Sequence, residues 1–392
     1  MGFQKRVKPR YWTRIVSLAL VVNVFISANV KAENITQPPS VQAKAAELID
    51  ANSGQVLFSK NARQKLPMAS VTKLMTLYLA VQALDRQQIR LGDLVPADEQ
   101  TYHIKGSQIW LEPGERLTVD QMLKAVAVGS ANDAAYALGT FLAGSEEAFV
   151  NRMNQTANNL GMHDTHFSNP HGLHAPNHYT TAHDLSLLSQ KAVTIPLLLH
   201  YTSMWEDRTI RNGKGGTLWL INHNRLLRNY PGTDGLKTGF THQAGYCLAA
   251  TAKRSKMRMI VSLLGEPTGK ARIQDASLLM SWGFQNFRTI SIAKAQALQG
   301  RVRVLRGTRP YVDAVIKKPV AITQPISEQG VQSVRDLNRE VAAPVAPGQV
   351  LGYLLVKNRR TILRQIPIQA KEAVPKITLT KLAWRYWWKL FA

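Results

Sequence analysis

Three short motifs stand in one order along the 392 residues: Ser70-Val71-Thr72-Lys73, Ser130-Ala131-Asn132 and Lys237-Thr238-Gly239. Each alone is weak. Ser291-Ile292-Ala293-Lys294 repeats the first spacing, and Ser27-Ala28-Asn29 and Ser59-Lys60-Asn61 repeat the second. Taken singly, Ser70 is an N-cap, Lys73 a solvated helix residue, Ser130 to Asp133 a capping cluster and Lys237 to Gly239 a strand end. What discriminates is the set, its order and its surroundings. Ser70 opens an apolar helical run, Ser130 precedes another, and Lys237 lies in a Gly-bounded extended segment.

The residue types suit serine acyl transfer. A serine hydroxyl needs a base within hydrogen-bond reach, and residues three apart on a helix share a face, so Lys73 is the candidate base for Ser70. Lys73 must be neutral at the moment of attack, which calls for desolvation or a nearby cation such as Lys237. The Ser130 hydroxyl can both accept and donate, as a proton relay to a leaving amine requires, and the Asn132 amide can hold a substrate backbone. The Ser70 N–H at a helix N-terminus, with a backbone N–H near Phe240, would stabilise an oxyanion.

The surroundings carry further signatures: Pro67-Met68-Ala69 before Ser70, Asp133-Ala134-Ala135 after Asn132, His171-Gly172-Leu173 in the centre, and Thr233-Asp234-Gly235-Leu236 before Lys237. With these, and with the C-terminal architecture, nearly all of the chain after its first 32 residues resembles the D-alanyl-D-alanine carboxypeptidases, low-molecular-mass penicillin-binding proteins with a serine nucleophile. The resemblance implies that Ser70 is acylated, Lys73 is its base, and Ser130 and Asn132 form the second catalytic element. Lys237, Thr238, Gly239, Phe240 and Arg272 would bind substrate, Arg272 as an additional carboxylate ligand in competition with Lys270. Two positions depart from the family pattern: Ala131 replaces a common Gly, and Phe240 replaces a common His. The implied reaction removes the terminal D-alanine of peptidoglycan stem pentapeptides through an acyl-enzyme, with covalent inhibition by β-lactams and no cofactor or metal. A DD-endopeptidase acting on cross-links and a non-catalytic wall-binding scaffold are the alternatives, and a β-lactamase fits less well with the extra C-terminal part.

Residues 1–32 combine Lys5, Arg6, Lys8, Arg10 and Arg14 with an apolar run and end on Val30-Lys31-Ala32, which reads as a cleaved signal peptide. The formal charge is +24; the leader contributes +6, and from Ala297 onward 17 Lys and Arg face 5 Asp and Glu. Two-thirds of the mature charge therefore lies in the last quarter of the chain. For an exported protein that points to anionic lipid and wall polymers rather than nucleic acid, and to the periplasmic face of the cytoplasmic membrane. Cys247, the single cysteine, excludes an intrachain disulfide.

The pattern predicts a mixed α/β fold in which helices surround an antiparallel sheet. Hairpins are expected at 45–50 with 55–59 and at 246–253 with 257–265, and helices near 70–84, 118–128, 132–143, 146–160 and 181–193. A peptidase domain over 33–293, a small β-rich domain over 294–373 and an amphipathic helix over 374–392 follow. The last sets Thr378, Lys381, Arg385 and Lys389 beside Trp384, Trp387, Trp388 and Phe391, the composition of a helix lying on an anionic membrane surface. His163, His166, His171, His174, His178 and His183 include spacings that can ligate zinc, but prolines interrupt the segment, and it reads as a polar loop bordering the site.

Overall fold

The computed structural model describes residues 37–211, 215–328, 330–358, 361–378 and 380–381. The expected leader and the last eleven residues of the tail lie outside them. Five antiparallel strands make the central sheet, in the order Val56–Lys60, Ala45–Asp50, Met257–Glu266, Gly245–Arg254, Thr233–Thr241. Both expected hairpins are present, and the strand carrying Lys237 forms one edge.

The strand Met257–Glu266 is buried along nearly its whole length. Unbroken burial means that both faces are covered. On one face the 18-residue helix Gly269–Asn286 packs Ala276, Leu279 and Met280 onto Leu48, Leu248 and Val261. On the other, the helices Lys73–Asp85, Val119–Ala127, Asn132–Ala143 and Ala182–Ala192 enclose a larger core that includes Leu74, Leu77, Met122, Leu138 and Phe149. The helix starts are capped by side chains where the sequence offers Thr118, Ser145, Thr181 and Thr268.

The expected helix at 70–84 divides in two. Ala69–Thr72 is a 3-10 turn, and the α-helix begins at Lys73. Ser70 therefore sits in the turn before the helix rather than at its cap. The cause lies in Ala69, which takes a left-handed conformation (φ 49°) and bends the chain into the turn.

Beyond Asn286 the chain is β-rich. Phe287–Ala293 pairs with Val320–Pro325, and a six-stranded sheet follows around Val302, Val312, Leu354 and Ile368. This part touches the central sheet through Asp50, whose Oδ2 accepts hydrogen bonds from Ser53 Oγ (2.8 Å) and Thr323 Oγ1 (2.6 Å). Val374 and Lys376 are bridged to Val345 and Gly307, and Ile377 N–H donates to Arg306 O. The tail is thus extended through Ile377, and the helix expected from residue 374 can begin only after it.

Candidate active site

Lys73 is fully buried, and its Nζ lies 2.9 Å from Ser70 Oγ, 2.6 Å from Asn132 Oδ1 and 2.6 Å from the His171 carbonyl oxygen. The last two groups can only accept. A neutral amine has two N–H groups and one lone pair, so donating to Asn132 and His171 leaves the lone pair for the Ser70 proton. Burial pushes the Lys73 pKa well below its ordinary value, and the Lys237 charge pushes it in the same direction. Both causes anticipated from the sequence act here, with desolvation the larger.

Asn132 is held in turn by its Nδ2 donating to Lys105 O (2.5 Å), and its backbone N–H donates to Ser107 O (2.7 Å). Beside it, the buried Asp133 carboxylate accepts from the N–H groups of Ile109, Leu111 and Ala134 at 2.8 to 3.2 Å. That clamp fixes the loop across from the catalytic helix. Ser130 takes a left-handed conformation (φ 57°), uncommon for a residue with a side chain, and its Oγ accepts from Lys237 Nζ at 2.9 Å. The Lys237 pKa is lowered to about 7 by burial and then by Arg272.

The edge strand lies directly against the Ser70 turn. A Cβ placed on Gly239 would stand 2.8 Å from Ser70 N and 2.9 Å from Val71 N, so only glycine permits this approach. Arg272, on the helix Gly269–Asn286, donates to the carbonyl oxygens of Gly239 and Cys247, both at 3.3 Å. Ser70, Ser130, Thr238, Gly239, Phe240 and Arg272 line one cavity of about 250 Å³, together with Ser107, His223 and Tyr246. None of the ion pairs among the described residues involves Lys73, Lys237 or Arg272. The pocket is therefore cationic and suited to a carboxylate.

Every site residue singled out from the sequence joins this one network or its cavity. Lys270, the rival of Arg272, is exposed and lines an adjoining groove instead. The Phe240 ring stacks on Tyr246 at 4.4 Å and forms part of the cavity rim. Ser107, His223 and Tyr246 were not anticipated, since no motif marks them.

The central histidines divide by role. His178 Nδ1 accepts from Ser168 N–H, which leaves Nε2 to donate to Thr72 Oγ1 (2.7 Å), and Thr72 Oγ1 donates to Ala69 O (2.8 Å). His178 thus braces the nucleophile turn. His171 Nδ1 accepts from Leu173 N–H, and burial drives the pKa values of His171 and His178 down to about 3 and about 4. Neutral, buried and hydrogen-bonded, both serve the loop's shape.

Residues 32–268 match the D-alanyl-D-alanine carboxypeptidase family. The chain belongs to that family. Residues 287–376 match the penicillin-binding protein 5 C-terminal domain. The chain is 36% identical over 357 residues to D-alanyl-D-alanine carboxypeptidase DacF of Bacillus subtilis, covering 89% of this chain and 90% of that protein. With D-alanyl-D-alanine carboxypeptidase DacA of Escherichia coli it shares 32% over 400 residues, 96% and 98% of the two chains. Penicillin-binding protein 5 of Haemophilus influenzae superposes with a TM-score of 0.78 at 31% identity, covering 87% of this chain and 99% of that one. Family membership over both parts of the chain agrees with an acyl-transfer site built from Ser70 and Lys73.

Proposed function

We propose that this protein is a serine DD-carboxypeptidase that removes the terminal D-alanine from peptidoglycan stem pentapeptides and is acylated by β-lactams. The observation that carries the reading is the 2.9 Å contact between Ser70 Oγ and a buried Lys73 whose other two partners are acceptors. In the proposed sequence Ser70 Oγ bonds to the carbonyl carbon of the penultimate D-alanine while Lys73 Nζ takes its proton. The tetrahedral oxyanion is met by the Ser70 N–H and a backbone N–H from the Gly239–Phe240 edge. Ser130, polarised by Lys237, then gives a proton to the departing D-alanine amine as the C–N bond breaks and is reprotonated by Lys73, which returns to the neutral amine. Water then attacks the ester, Lys73 accepts its proton and returns it to Ser70 Oγ as the acyl C–O bond breaks, which frees Ser70 and the shortened peptide.

Lys237, Thr238 and Arg272 offer charge-assisted donors to the terminal carboxylate, which a carboxypeptidase must recognise. Incubation of the purified protein with synthetic stem pentapeptide should release D-alanine. A cross-linked dimer offered in parallel should be cut more slowly, and faster release from the dimer would overturn the carboxypeptidase reading in favour of an endopeptidase.

The site would work outside the cytoplasm. The N-terminal leader pattern supports export, and the basic, tryptophan-rich tail beyond Ile377 supports peripheral attachment to the anionic outer face of the cytoplasmic membrane. Catalysis would then belong to residues 33–293, and the β-rich residues 294–373 would stand between the site and that anchor. Removing residues 378–392 should release the protein from anionic vesicles and leave pentapeptide hydrolysis intact; a truncated protein that still sediments with the vesicles would refute the anchor.

A further inference from the structure

A second groove, of about 1090 Å³, opens from the catalytic cavity and shares His223, Tyr246 and Arg272 with it. Two tryptophans on its walls are exposed, Trp110 at 68% and Trp219 at 59%. Exposure of this kind wastes the burial that a ring of that size could supply, unless a ligand provides it.

Trp110 is held through its backbone and Trp219 through its ring. Trp110 has φ 57°, a conformation that a bulky residue adopts only when its surroundings impose it. The imposing group is Asp133, whose carboxylate binds the N–H groups of Ile109 and Leu111 on either side. Trp219 donates through Nε1 to Glu206 Oε2 at 2.8 Å, and the Arg208 guanidinium lies 4.1 Å over its ring. One face of Trp219 is therefore occupied and its edge is pinned. A third ring, Trp205, lines the same groove and carries Arg228 at 4.3 Å.

The lining also carries Gln108, Asn229, Lys270 and Gln274, set among the apolar Leu220, Ile221 and Ile273. Exposed aromatic faces beside amide and ammonium donors match a pyranose ring, which has apolar C–H faces and hydroxyl and acetamido edges. An acyl chain would leave these polar groups unpaired, at a cost. A stem peptide is joined to its sugar at the end remote from the scissile bond, roughly 13 Å away for four extended residues. We propose that the Trp110 and Trp219 groove is a saccharide subsite that holds the N-acetylated sugars bearing the stem peptide. The proposal rests on the carboxypeptidase reading for its substrate and its kinetic test, and a binding readout is independent of that reading.

The test compares a synthetic pentapeptide with the same peptide carrying its N-acetylglucosamine–N-acetylmuramic acid disaccharide. The sugar-bearing substrate should show a KM lower by about tenfold with kcat unchanged, as one well-stacked ring implies. Trp219→Ala should remove that advantage and leave the bare pentapeptide untouched, whereas Trp219→Phe should keep part of it. Equal KM values for the two substrates in the unaltered protein, or equal losses on both in Trp219→Ala, would overturn the subsite. A peptide-free disaccharide supplies an independent readout: it should change tryptophan fluorescence in the unaltered protein and not in Trp219→Ala. No fluorescence change in the unaltered protein would also refute the proposal. Absence of any pentapeptide hydrolysis would instead strike the carboxypeptidase reading, so the two failures are distinct.

Discussion

The substitution Gly172→Ala separates backbone strain from catalytic geometry, because the structure contains its control. Gly172 and Gly144 have nearly the same left-handed conformation, φ 89° and 87°. A Cβ on Gly144 would meet nothing within 4 Å, so Gly144→Ala carries only the conformational cost of about 1 kcal/mol. A Cβ on Gly172 would stand 2.1 Å from Ala69 O and 2.9 Å from Thr72 Oγ1. Both atoms belong to the nucleophile turn, and the first is backbone that cannot rotate away. Relief requires the loop to retreat by about 1 Å, which adds roughly 1–3 kcal/mol of overpacking strain to the conformational cost. The preceding residue is His171, whose carbonyl orients Lys73 at 2.6 Å. A displacement of that size at the general base should slow acylation by about a hundredfold. Urea unfolding of both variants, with second-order acylation rates for a fluorescent penicillin, gives the two readouts. Gly144→Ala should lose about 1 kcal/mol and no activity. A folded Gly172→Ala protein that acylates at the unaltered rate would refute the role of the His171 carbonyl.

Acylation should depend on pH through both lysines. Attack needs neutral Lys73, so kcat/KM falls on the acid side as it protonates, and the carboxylate pocket needs charged Lys237, so kcat/KM falls as pH rises through about 7. Lys237→Arg should move the alkaline limb to higher pH in a pH-rate profile, and an unmoved limb would show that Lys237 does not set it. His178 has a folded pKa near 4 against an ordinary 6.5, so the unfolded chain binds the extra proton between those values and stability falls as pH drops through that window. The slope is about 1.4 kcal/mol per pH unit for each such histidine. Urea midpoints measured from pH 7 to pH 5 should be flatter in His178→Gln, and an unchanged slope would contradict a neutral buried His178. Arg272→Ala should weaken hydrolysis of a free-carboxylate pentapeptide more than acylation by an amidated analogue, and equal losses would reduce Arg272 to its bonds with Gly239 and Cys247.

The catalytic constellation was legible because each motif fixes its own local geometry: three residues of helix or turn bring Lys73 to Ser70, and an extended Lys237-Thr238-Gly239 places three site residues along one edge. The hairpins and most helices of the first 265 residues were legible from period and caps. The helix Gly269–Asn286 was not, since the charged Arg272 and Asp275 lie on its buried face and the apolar Leu278 on its exposed one. The turn at Ser70 was read as helix because Ala69 gives no sign of its left-handed conformation. The groove walls escaped for a different reason. Trp110 and Trp219 lie 109 positions apart in loops, and only the folded chain brings them to one surface. The histidine segment reads as a polar loop bordering the site, but only the structure shows that His171 and His178 are buried and that their rings shape that loop.

The most direct test of the account is the intact mass of the protein after exposure to a β-lactam. Attack by Ser70 on the strained amide should give one covalent adduct equal to the whole drug, mapped by peptide digestion to Ser70 and absent from Ser70→Ala. An adduct that persists in Ser70→Ala, or maps to another serine, would contradict the assignment of the nucleophile and the mechanism built on it.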